Sequence, residues 1–480
     1  MRADKLFEPF SFERNRGALS SYDLNVTDVV SAPEDAGANT LYVCLKTPVR
    51  DGHSSAAAAY ARGCRLFLAQ RGLGLPEDAA VYITEDPEAY LGDLAARCFG
   101  YPARSMTVFG ITGTHGKSSV IRLALDLLSG AGKSVAALTT DAFFLGDVVT
   151  PIKTAPTAAD IQRMLRAARR KKVEFVLLEF SAYMLAHHSE KAIPFAALLC
   201  TSLSSRASVR GLYRDTEAYR AATQKLFDAG APLGFLPAGL SVPCAVKRCV
   251  TFGDKGDIGV ENPYLVQIEP PCTAFSLTFD GQRETVFYPC VGLHAAQNAA
   301  AATALALAAG MSLGEIAEGF FTASTPYRLE CVCEVGGARI FLDNAFEAED
   351  LTYALSSLRR ITPGRLSVVL GSVGGRAFAR RAPLGKAAVT GADFAYFTAD
   401  DPDSEPVPRI LRDMVADVAD TGRFLALPSR YAALCRAAEE LRAGDTLLVL
   451  GKAYDETQLI SGVSELFSDK EVLLDAVRRR

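Results

Sequence analysis

The chain has 480 residues, 49% hydrophobic and 22% charged, with a formal net charge of −4. That length predicts two or three domains, and the composition excludes a disordered chain. The slightly acidic balance gives no general attraction to nucleic acid or to an anionic membrane, so neither is expected as a partner. Eleven cysteines are scattered without a CxxC pair, which predicts reduced thiols and a cytoplasmic setting. The tightest pair, Cys331 and Cys333, is expected on one face of a strand. The first residues lack the apolar core of a signal peptide, and no apolar run predicts a membrane span.

Residues 1–104 read as a small α/β unit. Asn39–Leu45, Cys64–Ala69 and Ala80–Ile83 are its predicted strands, and Ser54–Gly63 and Pro87–Phe99 its helices. The turn-rich stretch from Lys46 to His53 carries Asp51 and His53, and solvated loop is its plainest reading.

The second unit, 105–330, opens on a predicted strand, Met106–Ile111, followed by the glycine-rich turn Gly110-Ile-Thr-Gly-Thr-His-Gly-Lys-Ser-Ser119 and a helix over Val120–Gly130. Such a turn cradles phosphate. Its backbone N–H groups point inward, the helix N-terminus adds partial positive charge, Lys117 reaches outer phosphates and Ser118 suits magnesium. Further strands are expected over Ser134–Thr139, Glu174–Glu179 and Ala196–Thr201, with helices over Ala158–Lys171, Glu217–Ala229 and His294–Ala309. Glu179 closes a buried apolar strand, where ligands of open α/β sheets bind. Facing a metal and capping a nearby helix both suit it. Ser204–Asp215 is polar and irregular.

The third unit, 331–480, repeats a doubly wound α/β pattern, with strands over Ala338–Leu342, Leu366–Leu370, Phe394–Thr398 and Thr446–Leu450. Short motifs follow these strands: Asp343-Asn344, Gly371–Arg376, Asp400-Asp401-Pro402-Asp403, and Gly451-Lys452-Ala-Tyr-Asp455.

In this order the motifs resemble those of the Mur ligases, and among them the branch of UDP-N-acetylmuramoyl-tripeptide synthetases (MurE). The resemblance implies an α/β fold of three domains. These are a uridine-side domain (1–104), a central P-loop ATPase-like domain with a parallel or mixed sheet (105–330), and a Rossmann-like amino-acid-binding domain (331–480). It implies a monomeric cytoplasmic ligase that uses ATP and Mg²⁺ to add an amino acid to a UDP-N-acetylmuramoyl-peptide through an acyl phosphate. Gly113, Thr114, His115, Gly116, Lys117, Ser118 and Ser119 then form the ATP loop, with Asn298, Arg328 and Asp343 as further nucleotide contacts. Lys117 and Glu179 become catalytic, and Ser118 and Glu179 become magnesium ligands. The muramoyl-peptide falls to Ser31, Asp51, His53, Thr154 and Ser181, and the incoming amino acid to Arg376, Asp400, Asp403, Lys452 and Asp455.

Several positions depart from the family pattern. His115 replaces an asparagine. Thr223 falls where the family carries a carbamylated lysine for a second magnesium, and Lys225 lies about 200° further around a helix of 3.6 residues per turn. The family's metal-binding histidine is absent from 204–213, where Arg206 and Arg210 are candidates for substitute charge. An active ligase and an impaired relative that only binds nucleotide or UDP-muramoyl-peptide both remain open. A folylpolyglutamate-synthase-like ligase fits less well, because of the N-terminal unit. Asp403 stands where diaminopimelate-specific members place an arginine, which favours a cationic or small neutral acceptor. Its structural alternative is to cap a helix starting near Glu405.

Overall fold

The computed structural model describes the chain apart from residues 17–23, 47–50, 153, 204–215, 243–244, 267–270, 293, 325–327, 419–420, 453–455 and 480. It forms two compact units, Met1–Ile121 with Gly132–Thr251, and Arg122–Ala131 with Phe252–Arg480. Among the described residues, no helix is long and apolar enough to cross a membrane.

The first unit holds two sheets. The N-terminal one runs in the order Glu13–Arg16, Ala80–Ile83, Leu66–Ala69, Thr40–Val43, Asp28–Val30, and only its first strand is antiparallel. The other runs Ala231–Pro237, Ala197–Cys200, Thr107–Thr112, Phe175–Glu179, Val135–Leu138, and then turns antiparallel through Ala142–Leu145 and Val148–Pro151. Phe175–Glu179, Val135–Leu138 and Ala197–Cys200 are buried along their whole length, as parallel strands covered on both faces must be. The helix Ala158–Arg170 starts in a capping box, with the Thr157 hydroxyl accepting from the Asp160 N–H while Asp160 accepts from Thr157. Its buried stripe of Ile161, Leu165 and Ala168 packs on the sheet of the phosphate loop. Ala158 and Ala159 join the core of the N-terminal sheet.

In the second unit the sheet order is Glu330–Val335, Ala338–Asp343, Thr446–Leu450, Leu366–Ser372, Phe394–Ala399, Phe424–Ala426, antiparallel only at the first pair. Three antiparallel strands, Ile258–Val266, Cys272–Phe279 and Gln282–Tyr288, lie under the alanine-rich helix His294–Ala308. The solved folds reported below share this α/β architecture with its parallel and mixed sheets.

Three local expectations are corrected. Pro87–Phe99 is not one helix, because Asp86 accepts the N–H groups of Glu88 and Ala89 and so starts a 3₁₀ turn, Glu88–Tyr90, before the helix Leu91–Cys98. Cys331 and Cys333 do not share a face. A register shift between them breaks the alternation, and each packs on a different core of the sheet. Asp403 caps no helix. The next one starts at Val407, and Asp403 instead accepts the Gly462 N–H at 3.1 Å and the Ser404 hydroxyl at 3.3 Å.

Candidate functional site

The strand Thr107–Thr112 runs into the glycine-rich turn, and the helix begins at Lys117, three residues earlier than its apolar pattern suggests. Gly113 has φ +135°, and a Cβ there would stand 2.2 Å from Thr201 Oγ1, so only glycine fits. The turn is clamped from the neighbouring strand end. Ser202 accepts the Thr114 N–H through its carbonyl (2.8 Å) and the His115 N–H through its hydroxyl (3.0 Å), while Thr201 Oγ1 donates to the His115 carbonyl at 2.6 Å. Lys117 folds back over the turn, its Nζ donating to the carbonyls of Gly113 (2.9 Å) and Thr114 (3.2 Å). The His115 side chain is exposed, and Ser119 is half-buried in the first helical turn.

Glu179, at the end of the adjacent parallel strand, is 2% exposed. Its carboxylate accepts the Ser118 hydroxyl at 2.8 Å, the Thr140 N–H at 3.0 Å and the Thr140 hydroxyl at 2.5 Å, and Lys117 Nζ stands 3.9 Å away. Lys117, Ser118 and Glu179 are thus brought together. Thr140, Thr201 and Ser202 are additions that the motifs did not reveal. All three follow parallel strands of the sheet that carries the phosphate loop, at the carboxyl edge where ligands of such sheets sit.

Elsewhere in the first unit, Ser31 and Thr154 line a cleft of about 760 Å³, with Glu34, Asp35, Asp160 and Arg163 among its walls. Arg163 is held by Asp28 at 3.0 Å and Asp160 at 2.7 Å. Asp51 and His53 are not among its lining residues. His53 is 8% exposed, and both its ring nitrogens are engaged. Nε2 accepts the Gln70 N–H at 3.1 Å, so the proton sits on Nδ1 and is shared with Asp51 Oδ1 at 2.7 Å. Hydrogen bonds from the His53 backbone and ring help to draw the Asp51 pKa below its ordinary value. The Ser181 hydroxyl accepts the Met184 N–H as the cap of Ala182–Ala186. Thr223 is 1% exposed, its hydroxyl donating to the Tyr219 carbonyl at 3.0 Å, whereas Lys225 is exposed. No lysine occupies that buried helix position.

In the second unit, Asn298 lies half-buried in its helix. Asp343 accepts the Leu329 N–H at 2.8 Å; burial pushes its pKa up to about 6, although the Arg328 charge draws it down. Asp400 is likewise pushed up to about 6 by burial, against the pull of Arg430 and Lys452. Lys452 Nζ lies 2.7 Å from Asp401 and 3.8 Å from Asp400. Arg376 is exposed before the helix Phe378–Gly391. Asp455, like Arg206 and Arg210, lies outside the described residues.

Residues 111–306 match the Mur ligase middle domain, and residues 327–453 match the Mur ligase glutamate ligase domain. A UDP-N-acetylmuramoyl-L-alanyl-D-glutamate–2,6-diaminopimelate ligase from Geobacillus thermodenitrificans is 29% identical over 462 residues, 92% of each chain. Its namesake from Streptomyces coelicolor is 30% identical over 422 residues, 85% of this chain and 82% of the other. A solved structure of a ligase with that name has a TM-score of 0.66 at 20% identity, covering 100% of this chain and 99% of the other. MurF ligase from Thermotoga maritima, in complex with ADP, has a TM-score of 0.62 at 18% identity, with 95% and 98% covered. These structural likenesses establish the fold.

Proposed function

The chain belongs to the Mur ligase family, and from that premise we propose that it is an ATP-dependent ligase joining an amino acid to a UDP-N-acetylmuramoyl-peptide. The observation that carries this reading is the glycine-rich turn that sets Lys117 and Ser118 beside the buried Glu179. A carboxylate of the peptide attacks the γ-phosphate, giving an acyl phosphate and ADP, and the incoming amine then displaces phosphate. Two anions approach each other in the first step. The turn's N–H groups and Lys117, once it leaves its loop carbonyls, offset that charge. Asn298, Arg328 and Asp343 are the proposed further nucleotide contacts.

The Ser118 hydroxyl and the Glu179 carboxylate are hard oxygen donors, of the kind magnesium takes together with phosphate oxygens and water. They fit the ion. When bound there it would neutralise charge on the triphosphate. Residues 1–104, 105–330 and 331–480 are read as uridine-side, ATP and amino-acid domains. Ser31, Thr154, Asp51 and Ser181 serve the muramoyl-peptide, and His53 holds Asp51 in place. Arg376, Asp400, Asp403, Lys452 and Asp455 serve the amino acid. The enzyme is taken to work as a cytoplasmic monomer.

Thr223 favours a second reading, an impaired relative that binds without turning over, because it cannot form the carbamate that holds a second ion. The acceptor separates the two readings. The curated relatives are named for diaminopimelate, but a carboxylate facing Asp403 would be repelled by several kcal/mol. Phosphate release is measured with ATP, UDP-N-acetylmuramoyl-L-alanyl-D-glutamate and a panel of amino acids. Lysine or ornithine should stimulate it most, and added bicarbonate should leave the rate unchanged. Diaminopimelate as the best acceptor would refute the charge argument, and no stimulation by any amino acid would leave the binding reading.

A further inference from the structure

We propose that Thr140 is a positioning residue for Glu179, holding its carboxylate in one orientation beside Ser118 so that a divalent cation can be bound with nucleotide. The inference rests on the nucleotide and magnesium reading above. Glu179 is buried, and a buried carboxylate needs donors to stay charged. Of its three hydrogen bonds among the described residues, two come from Thr140, and they grip different oxygens: the N–H reaches Oε2 at 3.0 Å and the hydroxyl reaches Oε1 at 2.5 Å. Rotation of the carboxylate about its last bond would break at least one of them.

The chain topology makes this fork possible. Phe175–Glu179 and Val135–Leu138 run parallel, with Leu178 opposite Leu138, so the residues just past Leu138 come alongside Glu179. Both Thr140 donors are neutral. They orient the carboxylate without cancelling its charge, which stays available to a cation. The Ser118 hydroxyl spends its hydrogen on Glu179 Oε2, leaving its oxygen lone pairs free to face the ion. Groups that orient metal ligands in this way typically change metal affinity by about 10–100-fold when removed.

The test measures binding. Thr140→Val keeps the backbone N–H and the shape but deletes the hydroxyl donor, and Thr140→Ser restores that donor. Binding of the non-hydrolysable analogue AMPPCP is followed by calorimetry across a magnesium titration and again in EDTA. Thr140→Val should raise the magnesium concentration for half-maximal binding about tenfold or more, leave binding in EDTA unchanged, and be rescued by Thr140→Ser. An unchanged magnesium midpoint in Thr140→Val overturns the proposal, and so does an equal loss with and without the metal, which would mean general distortion of the turn. Wild-type protein whose AMPPCP binding ignores magnesium would overturn the underlying site reading, a failure visible before any variant is made.

Discussion

Glu179 and Asp400 both stand at the carboxyl edge of a buried parallel strand, 2% and 5% exposed, yet their surroundings differ in kind. Glu179 is held by neutral donors, the Ser118 hydroxyl and the Thr140 fork, with the Lys117 charge 3.9 Å away. Asp400 sits among full charges. Lys452 bridges toward it and Asp401, and the fully buried Arg430 is bound to Asp469 at 2.7 and 2.5 Å and to the carbonyls of Ala399 and Leu450. The first arrangement leaves negative charge outstanding for a ligand to complete. The second pairs opposite charges within the protein and so frames the loops around 400–403 and 451–452, which are proposed to serve the amino acid.

Arg430→Met should cost about 3–5 kcal/mol of stability, because it strands the buried Asp469 and Asp400 without their guanidinium. Urea unfolding reads this directly, and a negligible loss would mean the second cluster is not the frame described. Lys117→Ala should do the reverse. Its Nζ donates to two turn carbonyls and stands 3.9 Å from Glu179, so melting should change little while ATP affinity falls on the order of a hundred-fold. Calorimetry that finds the affinity intact would remove the central claim about the turn.

The Asp400 pKa, raised to about 6 from an ordinary 3.8, means that the folded state keeps a proton which the unfolded chain has already released. Its stabilising effect is therefore complete below pH 4 and is lost as pH rises through 6, about 3 kcal/mol over the full span. Asp400→Asn should flatten that part of the profile, so the wild-type stability relative to the variant should fall between pH 4.5 and 7. Parallel profiles would show that Lys452 and Arg430 offset the burial of Asp400 completely.

How far such sites can be read in advance depends on which contacts are local. The phosphate turn was legible because its glycines, lysine and serine are consecutive, and the strand Thr446–Leu450 because an unbroken apolar run has few other folds. The antiparallel strands between 258 and 288 gave weaker signals, since exposed polar residues interrupt them. Thr140 and Ser202 carry no motif. Their roles arise only when strands distant in sequence are laid side by side.

By itself the sequence determined most of the buried parallel strands, the position of the phosphate turn and the family to which the chain belongs. Each of these depends on spacing between near neighbours, and spacing survives in one dimension. Tertiary structure alone decided that Thr140 rather than another group forks Glu179, that Thr201 and Ser202 clamp the turn, and that Asp403 binds the 457–466 hairpin instead of capping a helix. The reason is physical: a hydroxyl or a carboxylate has many possible partners, and only the register of packed strands brings one of them within 3 Å.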